Sequence, residues 1–401
     1  MGANRRVLSG MRPTGAMHIG HLHGALKNWV RMQYEYDCLF FVADWHALTT
    51  HYEDPSIIGA SVRQMVIEWL AVGINPTAAT IFVQSDVQEH AELHLLLSMI
   101  TPLGWLERVP TYKDQQERLR ERDLDTYGFL GYPLLQSADI LIYRAGYVPV
   151  GEDQVAHVEV TREIARRFNH LFGREPGFEE KAERAVRHLG SKQSRTYSDL
   201  RRRYQERGDE EALAMGRNLV ENNPRITVAD RERLLGYLEG IGRTILVEPE
   251  ALLTPTPKVP GLDGQKMSKS YGNTIGLAED PEVVERKLRT MPTDPARVRR
   301  TDPGDPDKCP VWQFHRMYSD PATQAWVQDG CRTAGIGCID CKRPVIEAIL
   351  AELQPIRERI AEFRANPEAV DIILAEGRDR ARDAARETMH DVREAMGLEY
   401  R

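Results

Sequence analysis

The sequence predicts an α/β fold: a parallel sheet with helices on both faces, a helical insertion, and a helical C-terminal unit. Three observations carry this. Short apolar runs alternate with helix-period patterns through roughly the first 170 residues. From about Gly173 to Ile245 the chain turns charged and helical, broken by "GSKQS" and "ENNPRIT". From Pro344 onward come two long helical patterns with charged outer faces. A length of 401 residues suffices for a sizeable core and more than one structural unit. Hydrophobic content of 41% and charged content of 28% are those of a soluble globular protein. With no signal-peptide pattern and no run of eighteen apolar residues, a cytoplasmic protein without a membrane segment is expected.

Taken in order, "RVLSG" precedes a helix-like stretch from about His18 to Tyr36, and "CLFFVAD" has the all-apolar texture of a buried strand. "PSIIGASVRQMVIEWLAVG" has helical period, with proline near its start and glycine at its end. "TIFVQS" is again strand-like and "EHAELHLLLSMI" helical. In such folds ligands bind where strand ends meet helix N-termini. "LLTPTPKVPGLDG" is punctuated by proline and glycine and is expected to be a connection.

Net charge is −7, which overall disfavours a polyanionic partner. Local patches matter more: Lys181 to Arg207 holds nine basic and three acidic residues, and "RVRR" at 297–300 is a second basic knot. Either is equally well read as a solvated helix face or loop.

Two segments carry chemistry. In "PTGAMHIGHLHGAL" (13–26) a glycine turn leads into a helix whose opening turn bears His18 and His21, where unpaired N–H groups favour phosphate. Neither a Walker A lysine nor G-x-G-x-x-G accompanies it. In "DGQKMSKSYGN" (263–273), Lys266 and Lys269 stand three apart with Ser268 and Ser270, a spacing that can bring ammonium and hydroxyl donors onto one polyphosphate. Each alone is commonly structural; the two in one chain are diagnostic.

Together, His18-Ile19-Gly20-His21 and Lys266-Met267-Ser268-Lys269-Ser270 resemble the two signatures of the class I aminoacyl-tRNA synthetases. Further segments, "LSGMRPTG", "ADWHALTTHY", "FVQSDVQEHAEL", "YPLLQSADILIY", "VPVGEDQVAHVEVTREIARRFN" and "DPARVRRTDPGDPDKCPVW", are similar to the tryptophanyl branch of that family. The resemblance covers nearly all of the chain except about 174–245. It implies a Rossmann-like domain over 1–173, a charged helical insertion over 174–245, a return to the catalytic domain over 246–290, and a helical anticodon-binding domain over 291–401.

For residues it implies the following. Arg12, Pro13, Thr14, Gly20, His21, Gly151, Glu152, Asp153 and Val259 contact ATP, with Lys266, Met267, Ser268, Lys269 and Ser270. Asp139 accepts the indole N–H, and Tyr132, Gln136, His46, Val148, Val150 and Gln154 line the same pocket; Gln136 stands where some members have methionine. A pocket specific for tryptophan needs one buried acceptor in an apolar slot, because a substrate lacking the donor leaves it unpaired. The implied reaction joins L-tryptophan to ATP, with Mg²⁺ on the phosphates, and passes the acyl group to tRNA(Trp). His18, His21, Lys266 and Lys269 are the expected catalytic residues, acting by positioning and electrostatics rather than as nucleophiles. A homodimer is implied too. The rival readings are a tyrosyl enzyme of the same fold, and a non-catalytic iron–sulfur RNA-binding protein or sensor.

Cys309, Cys331, Cys338 and Cys341 are four of only five cysteines, spaced C-x₂₁-C-x₆-C-x₂-C. Four thiolates suit tetrahedral zinc or an iron–sulfur cluster. Some bacterial tryptophanyl enzymes carry a 4Fe–4S cluster on a pattern one residue longer in its first gap, which favours that cluster over Zn²⁺. Its loss is expected to weaken tRNA charging more than adenylate formation. Cys38, inside "CLFF", is expected to be a small buried hydrophobe. The insertion is open between an added RNA contact and a structural embellishment.

Overall fold

The first apolar runs become the sheet. The computed structural model describes residues 5–109, 126–174, 177–253 and 259–400. β1 (Arg6–Met11) leads through a glycine-containing loop to α1 (Ile19–His21), which continues by a π-helical turn (Leu22–Leu26) into α2 (Lys27–Met32). β2 (Asp37–Val42), α3 (Asp44–His51), α4 (Ser56–Val72), β3 (Ala79–Val83) and α5 (Glu89–Ser98) follow. Then come α6 (Tyr132–Ile142), β4 (Tyr147–Val150) and α7 (Val155–Phe172). The strand order, completed by β5 (Glu250–Leu253), is β3-β2-β1-β4-β5, all parallel. The expected Rossmann-like doubly wound sheet is therefore present.

Alternation along the strands sorts side chains to the two faces. Val7, Cys38, Phe40, Val42 and Ile81 enter one core; Leu8, Leu39, Phe41 and Phe82 enter the other. Trp29 of α2 stacks on Phe40 at 4.3 Å with Trp69 of α4 edge-on, which fastens both helices to β2. Cys38 is fully buried here, as a small hydrophobe would be. β5 corrects the sequence reading: Leu252 and Leu253 were expected in a connection but pair with Pro149 and Val150. A four-residue edge strand flanked by prolines shows no alternation long enough to read.

The charged insertion is helical. α8 (Phe178–His188), α9 (Ser191–Arg207), α10 (Glu210–Glu221) and α11 (Val228–Glu239) close on a small core of their own around Tyr197, Leu213, Val220, Leu234 and Leu238. Asp209 and Thr227 cap α10 and α11 by accepting from Ala212 and Asp230 N–H.

α12 (Pro281–Thr290), α13 (Pro310–Tyr318), α14 (Pro321–Arg332), α15 (Cys338–Ala365) and α16 (Pro367–Met396) complete the chain. The last two share the cores of the sheet. α15 adds Val345, Ile349, Leu353, Ile356 and Ile360 to the first core, and α16 adds Ala381, Ala385, Met389 and Val392 to the second. α16 covers the β3 edge so closely that a Cβ on Gly377 would lie 1.7 Å from the Ile81 carbonyl oxygen. Covering the edge satisfies the need to shield its unpaired backbone groups. Gly377→Ala should thus push α16 off the sheet and destabilise by roughly 3 kcal/mol. A denaturant midpoint equal to wild type would refute the closeness of that contact. Among the described residues no helix is long and apolar enough to cross a membrane.

Candidate active site

The crevice lies where the strand order reverses, between β1 and β4. β1 ends at Met11 and delivers Arg12, Pro13 and Thr14; β4 ends at Val150 and delivers Gly151 and Glu152. Pro13 is buried, while Arg12 and Glu152 are exposed. The side chains of Asp153 and Ser270 lie outside the described ones. Gly15 has φ 101°, a left-handed conformation that favours glycine, and its N–H donates to Ser61 of α4 at 3.0 Å.

The two signature histidines cap their own helix. His18 Nδ1 accepts from the Gly20 N–H at 3.1 Å, and His21 Nδ1 accepts from the His18 N–H at 3.2 Å. With both Nδ1 atoms accepting, the ring protons must sit on Nε2, which leaves two N–H donors for a ligand. Burial, then the charge of Lys269, lowers the His18 pKa to about 4; burial, then His18 and Lys269, lowers that of His21 to about 3. Both rings are neutral at neutral pH.

The sign of their pH dependence follows. A histidine of ordinary pKa in the unfolded chain takes up protons below about 6.5, while these two do not until about 4 and 3. Stability contributed by the pair is therefore present above about pH 6.5 and lost as pH falls through about 4 for His18 and about 3 for His21. Replacing both with asparagine should flatten the fall in Tm across that interval. An unchanged slope would count against neutral rings.

The lysine-bearing segment, 255 residues away from Thr14, docks against the histidines. Ile19 N–H donates to the Ile275 carbonyl at 3.0 Å, and Leu277 N–H to the Met17 carbonyl at 3.0 Å. Lys269 Nζ donates to the backbone carbonyls of Thr14 (3.2 Å) and Gly15 (2.7 Å). Met267 is buried, its N–H on the Val259 carbonyl at 3.1 Å, and Asn273 braces the loop by accepting from Ser268 N–H and donating to the Lys266 carbonyl. Lys266 itself points to solvent. Of the two expected cationic groups, one is seated in the site and the other stands outside it. Burial lowers the Lys269 pKa against the pull of Glu68.

Glu68 is a residue the sequence reading missed. Fully buried on α4, it accepts from Met17 N–H at 2.9 Å and from Gln64 Nε2 at 2.7 Å. It holds the backbone just before His18. An acidic residue inside an apolar helical pattern, in "IEWL", was the available signal.

Asp139 sits 1% exposed on α6, and its carboxylate already accepts three side chains: His46 Nε2 at 2.8 Å, His90 Nδ1 at 2.6 Å and Gln84 Nε2 at 2.8 Å. His90 Nε2 is in turn 2.7 Å from the Tyr143 hydroxyl. Burial alone would raise the Asp139 pKa; hydrogen bonds from His46 and His90 outweigh it and hold it at about 2. Tyr132, Gln136 and Asp139 fall at helical spacing on α6, and Val148 and Val150, two apart on β4, enter the same core layer. Tyr132 is buried, and Gln136, His46 and Gln154 are half-buried. Gln84, His90 and Tyr143 were not anticipated, although "FVQSDVQEHAEL" and "YPLLQSADILIY" contain them.

Comparison with known proteins bears on what this crevice serves. The family of class I tRNA synthetases (W and Y) matches residues 2–191 and 216–354. The tryptophan–tRNA ligase of Ralstonia nicotianae is 66% identical over 395 residues, covering 98% of this chain and 99% of the relative. That of Thermotoga maritima is 45% identical over 397 residues, covering 98% and 100%. The chain belongs to the tryptophanyl-tRNA synthetases. It is a tryptophan–tRNA ligase, which activates L-tryptophan with ATP and transfers it to the 3′ end of tRNA(Trp). The fold agrees: the Campylobacter jejuni tryptophanyl-tRNA synthetase, solved with ADP and tryptophan, superposes with a TM-score of 0.73 at 28% identity, covering 98% of this chain and 100% of that one.

The synthetase's cysteines converge away from the crevice. Cys309, Cys331, Cys338 and Cys341 line one cavity of about 20 Å³ with Thr293, Asp294, Arg297 and Val311. Arg297 is buried beside them, its Nη2 donating to the Ile336 carbonyl at 2.6 Å while Nε lacks a partner among the described residues. Burial, then the other thiols, pushes Cys341 up to about 12, since four thiolates cannot share a cavity without added positive charge. Among the described residues no three His, Cys, Asp or Glu side chains stand in metal-ligand geometry. The all-thiol donor set is, by its chemistry, of the kind a soft metal group takes.

Proposed function

We propose that adenylate formation in this synthetase is run by a neutral histidine pair and a lysine clamp, Lys269 seated in the site and Lys266 closing on it. The observation supporting it is Lys269 Nζ on the Thr14 and Gly15 carbonyls, beside the reciprocal cap of His18 and His21. Nothing there is a nucleophile. The tryptophan carboxylate attacks the α-phosphorus, pyrophosphate leaves, and the Nε2–H donors and the ammonium meet negative charge growing on the phosphate oxygens. Lys269 must exchange two backbone carbonyls for phosphate, and Lys266 closes from solvent. Arg12, Pro13, Thr14, Gly20, Gly151, Glu152 and Val259 frame the nucleotide, which arrives with Mg²⁺.

Asp139 recognises the indole N–H. Its carboxylate is ionised, buried and oriented by His46, Gln84 and His90, so it presents a fixed acceptor to an apolar slot of Val148 and Val150. The four cysteines hold a 4Fe–4S cluster, zinc being the second reading. The cluster would supply a rigid covalent tie among the start of α13, the last turn of α14 and the first turn of α15. The helical C-terminal region carries the anticodon contact, and the enzyme works as a cytoplasmic homodimer.

Pyrophosphate exchange across the twenty amino acids tests the reading: exchange dependent on tryptophan is expected, and none with tryptophan would overturn it. Iron and sulfide analysis of protein purified without oxygen separates the cluster from zinc, and sedimentation at enzyme concentration reports the dimer.

A further inference from the structure

The signature helix is interrupted just after its second histidine by the π-helical turn Leu22–Leu26. Such a turn inserts an extra residue into the ladder and is held only where neighbours specify it. His23 lies in this turn and Lys27 just beyond it. Both are held by one carboxylate: His23 Nε2 is 3.0 Å from Glu352 Oε2, and Lys27 Nζ donates to Glu352 Oε1 at 2.5 Å. Tyr318 Oη completes the group, 2.9 Å from His23 Nε2 and donating to Glu352 Oε2 at 2.8 Å. Burial would raise the Glu352 pKa, but hydrogen bonds from His23, Lys27 and Tyr318 hold it at about 2.

The two residues gripping His23 come from helices that both begin at the cysteine cavity. α13 starts after Cys309 and ends at Tyr318; α15 opens on Cys338 and Cys341 and carries Glu352 about 16 Å further along. The same helix touches the other side of the signature. Near its end Arg364 Nη2 donates to Gln64 Oε1 at 3.0 Å, Gln64 donates to Glu68, and Glu68 accepts from Met17 N–H. α15 thus braces the backbone before His18 and the turn after His21 while its first turn lies in the cysteine cavity.

We propose that α15 is a strut setting the signature helix: Glu352, with Tyr318, is a positioning residue for tryptophan activation, and the cysteine site acts on that step through it. This rests on the enzymatic reading above. It also moves the first effect of losing the cysteine site from tRNA charging, as the sequence led us to expect, to activation.

The test uses the full chain, with Glu352→Gln, Tyr318→Phe, Cys338→Ser and the double variant Glu352→Gln/Cys338→Ser. Two readouts are taken: tryptophan-dependent pyrophosphate exchange, and amide hydrogen exchange of residues 18–32. Glu352→Gln should lower kcat roughly 10-fold with the KM for tryptophan within about twofold, as expected when reacting groups are displaced rather than a pocket lost. Exchange across 18–32 should quicken in Glu352→Gln and in Cys338→Ser, with 191–239 unchanged. The double variant should lose no more kcat than the worse single. Tyr318→Phe, which keeps the ring, should move both readouts the same way by less. Wild-type kcat and protection in both Glu352→Gln and Tyr318→Phe would overturn the proposal. So would losses that multiply in the double variant, or faster exchange in Cys338→Ser confined to 331–345. A wild-type chain inactive with tryptophan would instead overturn the enzymatic reading, and the hydrogen-exchange result would still decide the strut.

Discussion

Lys269→Ala is expected to lower the rate of tryptophan-dependent pyrophosphate exchange by roughly 10²-fold or more, the scale set by removing one preorganised donor from a developing oxyanion. The reasoning starts from its surroundings. Its ammonium rests on two backbone carbonyls, and its charge partner Glu68 is engaged with Met17 N–H and Gln64. Uncharged carbonyls hold a cation less firmly than a carboxylate would, so phosphate can compete for it. His18 and His21 are neutral, which makes Lys269 the cationic group seated among the described residues of the signature segments. Since its contribution grows with charge in the transition state, kcat and kcat/KM should fall together. An exchange rate within twofold of wild type would remove Lys269 from the chemistry.

Asp139→Asn is expected to cost more than substrate recognition. The amide has one acceptor oxygen where the carboxylate now accepts from His46, His90 and Gln84, so at least one buried donor is stranded. Removing one partner of such a buried network costs about 3 kcal/mol of stability. In activity, kcat/KM for tryptophan should drop by roughly 10³-fold or more, while amino acids without an indole N–H lose far less, because a site built to pair a donor discriminates by leaving its acceptor unpaired. Calorimetry and exchange assays read the two effects separately. Full discrimination retained by the asparagine variant would show that the indole acceptor is another group.

How far the sequence carried depends on what kind of contact each feature needs. β2 and β3 were legible because a buried parallel strand is a continuous apolar run. β5 was not, because four residues at an edge beside prolines carry no period. The histidine and lysine segments were legible as motifs; their meeting was not written in either one. Only the docking of Ile275 and Leu277 on Ile19 and Met17 brings Lys269 to the Thr14 carbonyl. Asp139 could be named as an acceptor, but Gln84 and His90 reach it from a strand end and a different helix.

By itself the sequence determined the local and the chemical: which stretches could be strands or helices, where a glycine turn meets a helix start, and which side chains carry charge, thiol or imidazole. Those are properties of residue type and short spacing. The tertiary structure alone decided which groups share a cavity, which carboxylate is satisfied and by whom, that both signature imidazoles are neutral, and that two helices rising from the cysteines grip the signature turn. Desolvation and long-range pairing have no counterpart along a chain until it is folded.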